Sequence, residues 1–367
     1  MGQFEGTTVG AITINLDERL SYYEGVAYLH PGNTQVPGIA ASFRTPNKNS
    51  SFSTRTYAIL PIHPSDGIPV SWDLIKGNYP VGTAISLWAD VKGSFSDGCL
   101  NLSWRTDLGV EGRCALTRLA PDRPSELKPL RKNWREYQDY VAELETKKYL
   151  FRGQNEPWRL RTSFHRAERA NISRFLFEDI PELHRSLSSR TKHLFNLGIA
   201  QENGGFYNLI QHHGYPTPIL DWTYSPYVAA FFAYRGMSNE EAEARPTKPV
   251  RILVFDQAQW KLDWNQLLFL APATSHFSVA EFIAIENERM IPQQAASTVT
   301  NIDDIEDYIR ARETAGKSYL WAIDLPAGER RKIVTELGYM GITAGSLFPG
   351  LDGMCEALKE RNFGAGT

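Results

Sequence analysis

Several features that would classify a chain quickly are scarce here. Three cysteines in 367 residues (Cys99, Cys114 and Cys355) do not make a disulfide framework. Cys99 and Cys114 are near enough in sequence to pair, but spacing does not fix the geometry a disulfide needs. Reduced, buried thiols are the simpler expectation. No apolar run approaches the roughly 20 residues of a membrane helix. The formal net charge is only -3, so nothing global draws the chain to nucleic acid or anionic lipid, although a local basic groove stays open. The opening residues Met1 to Gly6 lack a signal-peptide pattern, and Gly6 stands where myristoylation wants Ser or Thr. These absences predict a soluble, cytoplasmic protein without membrane partners. No internal repeat is evident. The vicinal pair His212-His213 points two ways, so no metal site is expected.

What is present is length and pattern. A chain of this size with 42% apolar residues can form two domains with separate cores. Residues 1–118 read as a β-rich domain. Short apolar runs over 9–16, 22–29, 56–62, 83–91, 99–104 and 112–116 are separated by turn clusters such as Pro31-Gly32-Asn33, Asp66-Gly67 and Asp97-Gly98. The run 99–104 alternates and should return as a hairpin over 112–116; 13–16 and 25–27 suggest another pair. A small barrel or sandwich suits that pattern.

Residues 119–133, with Pro121, Pro124 and Pro129 among charges, read as a linker. The remainder, 134–367, is of mixed α+β character. Trp134, Tyr137, Tyr140, Val141 and Leu144 share one helical face. Helices are expected over 171–196, from Ser225-Pro226 onward, over 328–337 with Gly338 as the stop, and over 352–361 with Asp352 as N-cap. Strands are expected over 148–151, 250–255 and 319–324.

Four clusters in this second region carry chemistry. The first is Tyr149-Leu150-Phe151-Arg152-Gly153-Gln154, where an arginine followed by glycine ends an apolar strand. It would place a fixed cation where backbone can approach a ligand, or pair Arg152 with a carboxylate such as Asp221. The second runs from Gln211-His212-His213-Gly214-Tyr215-Pro216-Thr217 through Leu220-Asp221-Trp222-Thr223 to Ser225-Pro226. A loop so polar beside apolar helices is where sites are usually built, although His212 can equally serve to hold the loop's shape. The third is Glu288-Arg289-Met290-Ile291-Pro292-Gln293-Gln294, and its glutamines offer amide donors and acceptors. The fourth, Leu347-Phe348-Pro349-Gly350-Leu351-Asp352-Gly353, reads as structural.

In this order the four clusters resemble the FRG domain family, named for Phe-Arg-Gly, across residues 134–358. The chain departs from the family pattern at Pro218, where a basic residue is common, and at Ala295 and Ser297, where glycine and an aromatic are common. A more distant resemblance is to arginine-type ADP-ribosyltransferases, and it implies an ADP-ribosyltransferase-like fold. Arg152-Gly153 resembles their first element, Asp221 to Ser225 with its following helix the second, and Gln293 stands near the third, where a glutamate is usual.

That resemblance implies NAD as substrate, with Arg152, His212, Asp221, Thr223 and Gln293 at the chemistry. Arg152, Gly153, Gln154, Gln211, Trp222, Tyr224, Ser225 and Gln294 would bind the nucleotide. Arg152 would hold the pyrophosphate, Thr223 or Ser225 the nicotinamide ribose, and Trp222 or Tyr224 would pack on nicotinamide. Since Gln293 cannot act as a base, Asp221, Glu286 or Glu288 would supply the carboxylate. The implied roles are an ADP-ribosyltransferase or NAD-cleaving effector of a bacterial toxin or anti-phage defence system, with a protein or nucleic-acid acceptor and a β domain that recognises a target or regulator. Two other readings stand beside it: a non-catalytic ligand- or protein-binding module, and a nuclease or hydrolase using His212 and Asp221 as acid and base.

Overall fold

The computed structural model describes residues 2–117 and 123–364. It forms an α+β protein with two sheets. The first is antiparallel throughout and is built from β1 (Gly2–Gly6), β2 (Gly10–Glu18), β3 (Tyr23–Pro31), β4 (Ile39–Arg44), β5 (Ser51–Arg55), β6 (Ala58–Pro61), β7 (Ala89–Ser96), β8 (Cys99–Thr106) and β9 (Glu111–Thr117). Its order is β5-β7-β8-β9-β1-β2-β3-β4-β6. Both expected hairpins form, with Leu102 opposite Cys114 and Thr13 opposite Tyr28. Asp97 and Gly98 both take positive φ (48° and 73°), the two-residue turn that matches strand twist and joins β7 to β8.

Alternation fixes the sheet's inner face. Phe4, Ile12, Phe43, Phe52, Val91, Leu102 and Leu116 form one core. The sheet curls until its edge strand β5 reaches β4: Phe43 and Phe52 stack with ring centres 6.5 Å apart, and Thr54 Oγ1 donates to the Arg44 carbonyl at 2.6 Å. A single curled sheet therefore encloses its own core. The sequence pattern overlooks β1, β4 and β5, which are short and rich in Gly, Ser and Ala. The run 83–91 becomes strand only from Ala89. Cys99, Cys114 and Cys355 are free thiols, and burial pushes Cys114 up to about 11.

The second sheet has the order β10-β16-β13-β11-β12-β15-β14. Its strands are β10 (Pro129–Arg131), β11 (Tyr149–Gln154), β12 (Ile219–Thr223), β13 (Pro249–Asp256), β14 (Phe277–Ala280), β15 (Ala295–Thr300) and β16 (Leu320–Pro326). Only β10 runs parallel to its neighbour. Helix α1 (Trp134–Ala142) starts with a reciprocal cap between Asn133 and Glu136 and buries Trp134, Tyr137 and Val141. Helices α2 (Ala200–His212), α3 (Pro226–Tyr234), α4 (Arg330–Tyr339) and α5 (Leu351–Phe363) complete the frame. Two cores form: α1, α3 and α4 pack around Phe151, Val254 and Ile323, whereas Leu150, Leu220, Trp222, Phe255 and Trp260 form the other.

The helical expectations are adjusted at their ends. The region 171–196 is helical only to Leu187, with a π-type turn over Phe175–Asp179. Gly338 lies inside α4, and the chain reverses at Gly341, whose φ of 78° suits only glycine well. The residue capping α5 is Gly350, with Asp352 in its first turn, where a carboxylate favours the positive helix end.

The two compact units interleave along the chain. One gathers Met1–Pro121, Phe164–Ser189 and Leu270–His276; the other holds Asp122–Ser163, Arg190–Phe269 and Phe277–Thr367. The sequence pattern suggests instead a single break across 119–133. Residues 119–122 of that stretch lie outside the described residues. The rest is tied into the second unit, by β10 and by a bridge between Pro124 and Trp158.

In the first unit the fully buried Asp17 anchors the inserted segment. Its carboxylate accepts from Arg169 Nε (2.6 Å), Arg174 Nη1 (3.1 Å), and the backbone N–H groups of Ala170 (2.8 Å) and Asn171 (3.0 Å). A buried carboxylate is tolerated only with such complete satisfaction.

His276 in the same unit gives a pH test. The Ala271 N–H donates to its Nε2 at 3.3 Å, and burial pushes its pKa from 6.5 down to about 4. Between those values the unfolded chain binds a proton that the native state refuses. Stability is therefore full above about 6.5 and falls as pH drops toward 4, by on the order of 3 kcal/mol. Chemical-denaturation curves of wild type and His276→Gln across this window should show a flatter pH dependence for the variant; identical slopes would remove His276 as the cause.

Candidate functional site

A cavity of about 320 Å³ opens in the second unit where strands β11 and β12 separate. β11 pairs with β13 from Tyr149 to Gln154, and β12 pairs with β15 along its full length, but β11 and β12 meet only at Phe151 and Thr223. The lost rungs leave polar backbone to be satisfied by other means. Arg152 does so: its Nη1 donates to the Asp221 carbonyl at 2.6 Å. Arg152 thus bonds the backbone of Asp221 and not its carboxylate.

Each residue of the Phe-Arg-Gly signature has a separate part in this arrangement. Phe151 is buried against Ala229, Ala230 and Ala233 of α3. Arg152 bridges the split. Gly153 lets α3 lie directly on the strand, since a Cβ there would sit 2.0 Å from the Ala229 carbonyl oxygen and 2.5 Å from the Ala233 nitrogen. Its lack of a side chain serves helix packing, where the sequence suggests close approach to a ligand.

Of the residues expected at the chemistry, all five line the cavity: Arg152, His212, Asp221, Thr223 and Gln293. Gln211 and His212 form the last turn of α2, not a loop. Gln211 Nε2 donates to Asp221 Oδ2 at 2.6 Å, and its Oε1 accepts from Thr217 Oγ1, so the amide is held at both ends and orients the carboxylate. His212 Nδ1 lies 2.9 Å from the Asn208 carbonyl and 2.9 Å from Asn287 Nδ2. Burial lowers its pKa, aided by the charge of Arg289, while the Asn208 carbonyl and Asp221 act in the opposite sense. The ring is therefore neutral near pH 7.

Thr223 Oγ1 donates to the Gln293 carbonyl at 2.7 Å and accepts from Ser225 N–H at 2.9 Å. Gln293 Nε2 in turn donates to the Leu347 carbonyl at 2.9 Å. This pair knits the end of β12 to the segments around 293 and 347.

The residues expected to bind nucleotide divide. Gly153, Gln211 and Trp222 line the cavity, and Gln154, Tyr224, Ser225 and Gln294 do not. The Trp222 ring belongs to the second core, and its Nε1 donates to Thr298 Oγ1 at 3.0 Å. Tyr224 packs against that same core. Ser225 caps α3, accepting from Val228 N–H at 3.2 Å. Gln154 is buried, and Gln294 sits in a turn with φ 46°. Glu286 accepts from His193 N–H at 2.6 Å, and neither it nor Glu288 lines the cavity. Asp221 is the carboxylate that does so among the described residues.

Asn208 was not singled out in the sequence, and Phe232, Arg289, Ser297 and Phe348 fall within the quoted clusters without a site role; all five line the cavity. Arg289 lies over the Phe348 ring, 5.3 Å from its centre. Asn208 sits one helical turn before His212 and accepts from Ser297 Oγ at 3.3 Å. The i, i+4 spacing from His212 was the available signal for Asn208. Among the described residues, no group of His, Cys, Asp and Glu could hold a metal ion, and no helix is long and apolar enough to cross a membrane.

Residues 147–242 match the model of the FRG domain family, so the chain carries an FRG domain there. This stretch contains β11, β12, α2 and α3, the elements that frame the cavity. No curated protein and no solved structure matches the chain.

Gly153→Ala should force α3 off β11 and destabilise the second unit by about 1–3 kcal/mol, as overpacking does. Thermal unfolding checks this. A melting temperature equal to wild type would mean that the helix yields without cost.

Proposed function

We propose that this protein cleaves NAD at the nicotinamide–ribose bond, as a glycohydrolase or an ADP-ribosyltransferase. The observation that carries this reading is the convergence of two arginines, a neutral histidine and one carboxylate on a cavity at a parted pair of strands. An arginine suits the pyrophosphate and the carboxylate suits the opposite end of a dinucleotide.

In this scheme the C1′–N bond breaks and its electron pair stays on the ring nitrogen, so nicotinamide leaves neutral. Positive charge grows on the ribose, and Asp221, oriented by Gln211, lies opposite it. A water or an acceptor hydroxyl forms the new bond at C1′ and gives its proton to neutral His212 or to Asp221. Because the His212 pKa lies below 6.5, activity should hold through neutral pH and fall on acidification below that value. The effector role in toxin or defence systems suggested by the sequence rests on the same chemistry.

A binding-only role has one observation in its favour: Gln293, near the position where a glutamate is usual, has its amide N–H committed to Leu347. Nicotinamide release by the full chain separates the two. Wild type should release nicotinamide, and Asp221→Asn should lose at least about a hundredfold in rate with dinucleotide binding retained. Binding of NAD without any release, across a range of acceptors, would establish the binding role; no binding of NAD at all would end the NAD reading.

A further inference from the structure

The two cavity arginines are not equivalent. Arg152 is committed within the fold: its Nη1 holds the Asp221 carbonyl at 2.6 Å, and the side chain has further interactions. Arg289 is different. It lines the cavity, it is half-buried, and its guanidinium rests over the Phe348 ring at 5.3 Å. Among the described residues no carboxylate lies within ion-pair distance of its guanidinium, and Asp221 is the carboxylate that shares the cavity with it. Arg235 lies over the same ring, at 4.0 Å, but is paired with Glu356 through Nε (2.7 Å) and Nη2 (2.9 Å). Phe348 thus carries one arginine in an ion pair and one that faces the cavity without a carboxylate in ion-pair contact.

The ring gives the Arg289 guanidinium a cation–π seat, and a guanidinium offers a planar fork of hydrogen-bond donors. A partly desolvated cation with no carboxylate in ion-pair contact, beside a neutral histidine, favours an anion with several oxygens. Phe348 is itself placed by the preceding carbonyl, since Leu347 is held by Gln293.

We infer that Arg289, seated on Phe348, is the residue that receives the ligand's phosphate or pyrophosphate, and that Arg152 is a positioning residue that holds the strand split open at its correct width. This deepens the proposed function and rests on it for the nucleotide; the anion site stands on the Arg289 geometry alone. The ligand class is a phosphorylated or pyrophosphorylated small molecule.

The test uses the full chain with inorganic pyrophosphate, ADP and the uncharged adenosine as calorimetric probes, beside thermal unfolding. Pyrophosphate and ADP should bind wild type. Arg289→Ala should weaken both by at least about tenfold, the loss of one charge-assisted contact, with an unchanged unfolding temperature. Arg289→Lys should recover part of the affinity, since charge is kept and the fork lost. Arg152→Ala should lower the unfolding temperature. Adenosine affinity, if measurable, should not respond to Arg289. Full-strength pyrophosphate binding by Arg289→Ala, or no binding of pyrophosphate and ADP to wild type, overturns the assignment. Nicotinamide release that ignores Arg289 would overturn it while sparing the proposed reaction. Arg289-dependent pyrophosphate binding without nicotinamide release would do the reverse.

Discussion

The hydrogen bond from Arg152 to the Asp221 carbonyl is the constraint on which the rest of the site depends. Two strands that pair at a single position would ordinarily close up or fall apart, because unpaired backbone groups buried from water cost free energy. Here an arginine side chain takes the place of the missing rungs. The strands stay apart and the cavity exists between them. A lysine would bring the charge but not the rigid fork, and the bridge would loosen.

Around that bridge the other bonds fix orientation. Gln211 holds the Asp221 carboxylate, Thr223 holds the Gln293 carbonyl, and Gln293 holds Leu347. Each is a polar side chain with both ends occupied or nearly so. Preorganisation of this kind lets a carboxylate act on developing charge without first reorienting. The bonds from Thr223 through Gln293 end at Leu347, beside Phe348, whose ring lies under Arg289.

Ser225-Pro226 announces the start of α3 because capping and a fixed proline φ are local effects. Asp97-Gly98 announces a hairpin for the same reason. Trp222 and Tyr224 were legible as aromatic but not as core, because which face of a strand is buried depends on what packs above it. Arg289 and Phe348 lie 59 residues apart, so no local pattern joins them; their meeting is a product of the fold. The insertion of Phe164–Ser189 into the first unit likewise rests on Asp17, more than a hundred residues away.

By itself the sequence determined the α+β class, two hairpins, six strands of the first sheet and three of the second, several of the helices, and the segments from which the site is drawn. Those follow from periodicity, turn chemistry and caps, all of which act over a few residues. Tertiary structure alone decided that β11 and β12 part, that Gly153 serves a helix, that Arg152 bonds a backbone carbonyl, and that Arg289 meets Phe348 at the cavity. These follow from contacts between residues distant in the chain, where packing and desolvation, and not local propensity, set the outcome.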